Sequence, residues 1–273
     1  MAFLIIVLVF STCLNPCFAA STNSVDLPVV LKINQFYVLY TYPKGPYLDK
    51  QNRLMVPLGM FCQRLMGASV EYNTHLKTAT VFFSGKTLVL KVGSSTAILD
   101  GDPLETCSAP VFDNGHIFVP IRTLIDAFGI AASWNEEYRY LALNDKRLLD
   151  TWTIRYLLDS SPGVTENGDA FVPTGVVLST WRNPATSSKY VKLDIKAKNI
   201  TGADIPAEKE DLHSYIVYNS GYSHDTGWGH EGQYLRERPF VKAGTTITKS
   251  AINNFDPALD KINYILLWCR TIE

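Results

Sequence analysis

A chain of 273 residues has room for about two ordinary domains. With 47% hydrophobic, 12% aromatic and 19% charged residues it has ample material for a core and is neither disordered nor fibrous. Its 25 basic and 26 acidic residues leave a net charge of −1, which argues against the broad basic field that sequence-independent nucleic-acid binding draws on.

The chain opens on an apolar run from Ala2 to Phe10, followed by a helix-breaking Pro16 and the small residues Ala19, Ala20 and Ser21. This order is expected of a secretory signal peptide over residues 1–20, cut near Ala19 or Ala20. No Lys or Arg precedes the run, and Cys17 is a poor small residue for the cleavage site, so a short uncleaved anchor is the competing reading. A spanning helix wants about 20 apolar residues. Asn15 and Pro16 interrupt this one too early, and no later segment is expected to cross a membrane. "FST" before Cys13 and "LNP" before Cys17 are poor approximations to a lipoprotein signal. Removal of the leader leaves Cys62, Cys107 and Cys269, an odd and scattered set that makes neither a disulfide framework nor a zinc site. Cys62 and Cys269 sit in apolar stretches and are expected as buried thiols, with one bridge left open.

Next comes a phrase that the chain writes twice. "RLMVPLGMFCQRLMGASVEYN" runs from Arg53 to Asn73, and "HIFVPIRTLIDAFGIAASWN" from His116 to Asn135. Aligned on Val56-Pro57 and Val119-Pro120, both proceed through a helical stretch to a glycine, Gly67 or Gly129, and then to Tyr72-Asn73 or Trp134-Asn135. The prolines lie 63 positions apart (57 and 120) and the glycines 62 (67 and 129), so the first helix carries one extra residue. Proline is tolerated where a strand hands over to the first turn of a helix. In the second copy Ile121, Leu124, Ile125 and Phe128 share one helical face, with Arg122 and Asp126 opposite at a spacing that permits a surface ion pair worth a few tenths of a kcal/mol. Gly129 is placed to end the helix in a left-handed cap.

Between the copies, "KTATVFF", "KTLVLKV" and "STAILDGDPLE" are short β-branched runs separated by Ser-Gly, Gly-Ser-Ser and Asp-Gly, the punctuation of hairpins. After the second copy comes "YRYLAL". Strands in succession with one helix per copy predict an α+β unit with a mainly antiparallel sheet.

A strand, Asp-Asn-Gly, "IFVPIR", a helix ending in Gly, and "W-N" before a closing strand resemble the copper amine oxidase N-terminal-like (stalk) domain of secreted bacterial proteins. The resemblance covers about residues 29 to 147, with two repeats at about 29–83 and 86–144 in a domain at 27–147. The first copy departs from the family pattern in its inserted helix residue, in Gly59 where the family usually has Arg, and in Tyr72 for Trp. Those departures bear on surface chemistry and not on fold. The resemblance implies a small antiparallel sheet curled around a helix, serving as a spacer or interaction module and usually without catalytic residues.

From about Asp150 the pattern changes. "YVKLDIKAKN" alternates Val191, Leu193, Ile195 and Ala197 with Lys192, Asp194, Lys196 and Lys198, as a half-buried strand does. "GVVLSTW", "SYIVY", "RPFVKAGTTITKS" and "INYILLWCRTI" read as further strands, and no convincing helix is expected between Thr151 and Glu273. An all-β immunoglobulin-like sandwich over 151–273 is the expected architecture.

The family's name raises the question of amine oxidase chemistry. Such enzymes build a quinone from a tyrosine in Thr-x-x-Asn-Tyr-Asp/Glu and hold copper with three histidines, two of them as His-x-His. The nearest stretch, Ala251 to Asp256, has Phe255 in the tyrosine's place and Ala251 in the threonine's, and the chain contains no His-x-His. Hydrolase elbows, zincin helices and phosphate loops are absent from the sequence as well, so neither an enzyme nor a cofactor is expected.

One stretch stands out, "YNSGYSHDTGWGHEGQYLRERP" from Tyr218 to Pro239. Tyr222, Trp228 and Tyr234 offer flat faces for a sugar ring or a partner side chain, and His224 and His230 stand beside them, so these five are the candidate ligand-binding residues. The plain alternative is a surface loop folded back on the sandwich. A metal site through His224, His230 and a carboxylate is the third reading, against which their sequence spacing speaks. Tyr72 and Trp134 are expected to pack at the sheet edge, and "NIT" at Asn199 matches a glycosylation acceptor that a bacterial source would leave unused. The expected function is a secreted, non-enzymatic binding protein at or outside the cell surface, with cell-wall or extracellular polysaccharide or another surface protein as partner. A pure spacer or assembly subunit is the first alternative. An unrecognised secreted enzyme is the second, to be favoured if His213, His224, His230, Asp225 and Glu231 converge in a pocket.

Overall fold

The structure is a computed structural model that describes residues 21–26, 30–160, 165–182, 188–219, 223–225, 238–255 and 261–272; the expected leader, 1–20, lies outside them. The described residues are mostly strand, with three short helices, Met60–Leu65, Ile121–Phe128 and Trp152–Ser160, so the balance lies nearer to all-β than the expected α+β. The reason is local: in each Val-Pro phrase a proline starts the helix and a glycine stops it one or two turns later. None of the described helices is long and apolar enough to cross a membrane.

The hairpin punctuation produces the expected meander. Ser69–Asn73, Thr78–Phe83, Lys86–Lys91, Thr96–Leu99 and Asp102–Glu105 each pair antiparallel with the next. At Ser84-Gly85 and Asp100-Gly101 both residues have positive φ, which matches the twist of the flanking strands. The two Val-Pro strands pair with each other, Leu54–Pro57 antiparallel to His116–Pro120 with Val56 opposite Val119. Tyr47–Leu48 and Val111–Asp113 complete that four-stranded sheet.

The helices that follow these two strands differ as their lengths require. In the second, Gly129 at φ 62° donates its N–H to the Ile125 carbonyl, an ordinary i to i+4 closure. Ile121, Leu124, Ile125 and Phe128 are buried, and Arg122 and Asp126 face solvent 3.0 Å apart. In the first, the Met66 N–H donates to the Phe61 carbonyl at 3.0 Å, an i to i+5 bond. The extra residue is therefore absorbed by widening one turn into a π-helix, which keeps Phe61, Cys62 and Leu65 on the buried side.

A larger sheet ties the two halves of the chain together. Its order runs through Ala131–Asn135, Tyr140–Asn144, Val30–Ile33, Phe36–Thr41, Ile262–Ile272, Glu210–Tyr218 and Ser223–Asp225, with Thr165–Asn167 also paired to Ile262–Ile272. The pair Tyr140–Asn144 with Val30–Ile33 is parallel. The junction is Phe36–Thr41 against Ile262–Ile272, with Tyr37 opposite Leu267 and Val38 opposite Leu266. A second sheet, Ser21–Asp26, Phe171–Arg182, Lys189–Asn199 and Thr246–Phe255, lies face to face with it. In that sheet Val191, Leu193, Ile195 and Ala197 alternate inward as expected.

The large sheet is therefore a wall between two cores. On one face Phe36, Val38, Tyr215 and Leu266 join the helices and the meander. On the other Tyr37, Leu39, Ile216, Ile265 and Cys269 join Phe171, Val176, Leu193 and Ile195. Cys62 and Cys269 are buried free thiols, one in each core, and burial pushes both pKa values up; Cys107 is free and exposed.

One expectation for the C-terminal half needs correction. Trp152–Ser160 is helical although no helix was expected there: Thr151 Oγ1 caps the Ile154 N–H at 3.3 Å, and Ile154 enters the first core. Asn199, at the glycosylation-type triplet, is 1% exposed. Its Nδ2 donates to the carbonyls of Ala203, Val241 and Lys242 at 2.9, 3.3 and 3.2 Å, and its Oδ1 accepts from the Thr201 N–H and hydroxyl. It is a staple between two turns. Asn199→Asp removes those donors and sets an acceptor against three carbonyls, so a loss of about 3 kcal/mol or more is expected in urea unfolding, and a smaller one for Asn199→Ala.

Candidate functional site

A cleft lies where the π-turn, two hairpins and the C-terminal strands meet, and it encloses about 710 Å³. That volume is within the range of about 300–1,000 Å³ usual for small-ligand sites. Pro57, Gly59 and Met60 at the start of the π-turn form one wall, with Gln63 and Arg64 a turn further on. The hairpin joining Ser69–Asn73 to Thr78–Phe83 adds Tyr72, Asn73 and Lys77, its turn fixed by the Leu76 N–H donating to Asn73 Oδ1 at 3.0 Å. Opposite stand Phe112, Gly115 and His116, carried on a hairpin whose Asn114-Gly115 turn has positive φ at both positions. Asn219, Lys261 and Asn263 close the cleft from the C-terminal half.

Fixed contacts hold these walls in place. The Tyr42 N–H donates to the Asn263 carbonyl at 2.7 Å, and Asn263 Nδ2 donates to the Tyr218 carbonyl at 3.3 Å. His116 meets the Tyr42 ring edge to face at 5.3 Å, and Lys261 Nζ lies 5.8 Å from the same ring's centre. Phe112 and Tyr72 present exposed faces, 64% and 49% accessible.

The departures of the first phrase from the second meet at this cleft. A Cβ on Gly59 would lie 2.6 Å from the Tyr72 hydroxyl, so the small residue and the tyrosine are one linked change: Tyr72 lies where Gly59 leaves room. At the matching positions of the second phrase stand Arg122, paired with Asp126, and Trp134, whose indole N–H donates to Glu136. Gly59 has helical φ of −61°, so Gly59→Ala adds no backbone strain. It is expected to leave stability within about 1 kcal/mol while swinging the Tyr72 ring aside. The Tyr72 ring shifts in an NMR spectrum should move, and Tyr72→Phe in the same background should relieve the clash.

Of the five sequence-expected binding residues only His224 lies among the described ones. Tyr222, Trp228, His230 and Tyr234, together with Glu231, lie outside the described residues. His224 falls on Ser223–Asp225, a short strand antiparallel to Glu210–Tyr218, opposite Ile216. His213 is buried in the large sheet, stacked on Tyr215 at 4.9 Å and 3.9 Å from Asp211, away from the cleft. Among the described residues no three His, Cys, Asp or Glu side chains gather as a metal site would require. Tyr72 and Trp134, expected to pack at the sheet edge, are instead exposed, because each stands on the outer side of a strand whose residues are mostly open to solvent.

The mostly-β fold with its Val-Pro strands and short capped helices has a recognisable relative. Residues 32–143 match the family model of the copper amine oxidase N-terminal domain, and this stretch of the chain is a domain of that family. No curated protein matches the chain.

Proposed function

We propose that the chain is a secreted, non-enzymatic binding protein acting at or outside the bacterial cell surface. In this reading a duplicated stalk-type module at 27–147 presents an immunoglobulin-like sandwich at 151–273, and cell-envelope polysaccharide is the preferred ligand, with another surface protein second. The supporting observation is the 710 Å³ cleft between the family domain and the C-terminal strands, walled by exposed rings, carboxamides and cations. Such groups hold a polar ring-shaped ligand through stacking and hydrogen bonds. The amine oxidase family name adds no catalytic expectation, because the match is to the N-terminal domain and Phe255 stands in the quinone tyrosine's place.

The test is co-sedimentation of the purified protein with cell-wall sacculi and extracellular polysaccharide, alongside Tyr72→Ala and Phe112→Ala. Wild type in the pellet and both variants in solution is the expected result. If none of the three proteins pellets, the wall-binding reading is lost. The alternative of a rigid spacer then gains, which the sheet running unbroken from Phe36–Thr41 into Ile262–Ile272 favours.

A further inference from the structure

We infer that the cleft recognises an acidic glycan, a sugar chain bearing carboxylate or phosphate groups; this rests on the polysaccharide-binding reading above. The chain as a whole is balanced, 25 basic against 26 acidic residues. Among the described residues the cleft is not: Arg64, Lys77 and Lys261 line it with His116, and no described Asp or Glu does. The three cations come from three separate parts of the chain, so no single basic run explains their meeting.

Several cations outside the cleft are matched to carboxylates, Lys44 to Asp113 at 3.2 Å, Arg53 to Asp49 at 2.7 Å, Arg122 to Asp126 at 3.0 Å and Arg155 to Asp150 at 3.1 Å, while others among the described residues, such as Lys50, Lys91 and Lys146, are not. Among the described residues Arg64, Lys77 and Lys261 form no ion pair. Like charges gathered around one concave space repel in the empty protein, and an anion placed between them converts that repulsion into attraction. Asp113, the acid next in sequence to Phe112, is engaged by Lys44 and does not line the space.

The uncharged part of the wall says what carries the anion. Tyr72 and Phe112 offer flat faces to the apolar side of a pyranose, and Gln63 and Asn219 offer carboxamides to its hydroxyls. A nucleic acid would call for a longer basic track than three residues in a pocket.

The test is calorimetric titration of the full protein with polygalacturonate fragments, a poly(glycerol phosphate) polymer, neutral dextran fragments and poly-glutamate, at low and high ionic strength. Binding of a charged glycan but not of dextran is expected, weakened at high salt and weakened about 10- to 100-fold by the combined change Arg64→Gln, Lys77→Gln and Lys261→Gln. All three positions are exposed, and an unchanged melting temperature will show that the variant is folded. The two charged glycans separate carboxylate from phosphate as the source of the anion. If dextran binds equally well, insensitive to salt and to the triple change but lost in Tyr72→Ala, the acidic assignment is overturned and the polysaccharide-binding reading stands. Binding of poly-glutamate alone overturns the glycan assignment in favour of an acidic protein partner. If no probe binds, both readings fall.

Discussion

Asp211→Ala is expected to destabilise the protein by about 3–5 kcal/mol, the range for removing one partner of a buried ion pair. Asp211 and Arg270 stand directly opposite each other on adjacent strands, 1% and 2% exposed, with Arg270 Nε donating to Asp211 Oδ2 at 2.5 Å. The guanidinium lies 3.9 Å from the Trp268 ring centre, and Arg238 reaches the other carboxylate oxygen at 3.5 Å. Removing the carboxylate takes from a desolvated cation the acceptor it holds at 2.5 Å, and arginine does not shed its proton to escape. Arg270→Met combined with Asp211→Ala should recover much of the loss, since it takes away the buried cation that lost this partner. Urea unfolding of the four proteins forms a double-mutant cycle. A loss below about 1 kcal/mol for Asp211→Ala would show that the pair is well solvated and overturn the argument.

How far such features are legible in a sequence depends on whether their cause is local. The left-handed cap at Gly129, the two-residue turns at Asp100-Gly101 and Asn114-Gly115 and the inward alternation of Val191, Leu193 and Ile195 each follow from a few neighbouring residues. The helix Trp152–Ser160 also has a local signal, with Thr151 as its cap and Ile154 and Leu158 four apart, but it is short and flanked by strand-like runs. The pairing of Phe36–Thr41 with Ile262–Ile272 was not, because strand partners distant in sequence are chosen by packing. A trace of it exists: "FYVLYT" and "YILLW" are unbroken apolar runs, and a strand covered on both faces has no reason to alternate. The cleft is non-local in the same way, since Arg64, Lys77 and Lys261 share no spacing motif. Its signal lay in the comparison of the chain with itself, because the inserted residue, Gly59 and Tyr72 all mark the wall that the cleft uses.

Residues 27–147 expressed alone are expected to be far less stable than the same residues in the full chain, and prone to aggregate. Within the whole protein Phe36–Thr41 is an interior strand; without Ile262–Ile272 it becomes an edge with unpaired backbone donors and acceptors. Phe36 and Val38 keep part of their cover, because the core that they enter draws on the helices and the meander of the same segment. Tyr37 and Leu39 keep little: they are 0% and 1% exposed, and nearly all the buried residues they pack with lie beyond residue 147. Exposing two such side chains costs roughly 3–6 kcal/mol, comparable with the whole stability of an ordinary domain. Tyr37→Lys with Leu39→Lys should then act in opposite directions, making the fragment more soluble and abolishing the fold of the full chain. In the intact protein, circular dichroism and tryptophan fluorescence should follow one coincident transition, since neither core keeps its wall when the other melts. A fragment that unfolds at the same urea concentration as the full chain would show that the shared sheet contributes no coupling and that the two halves stand independently.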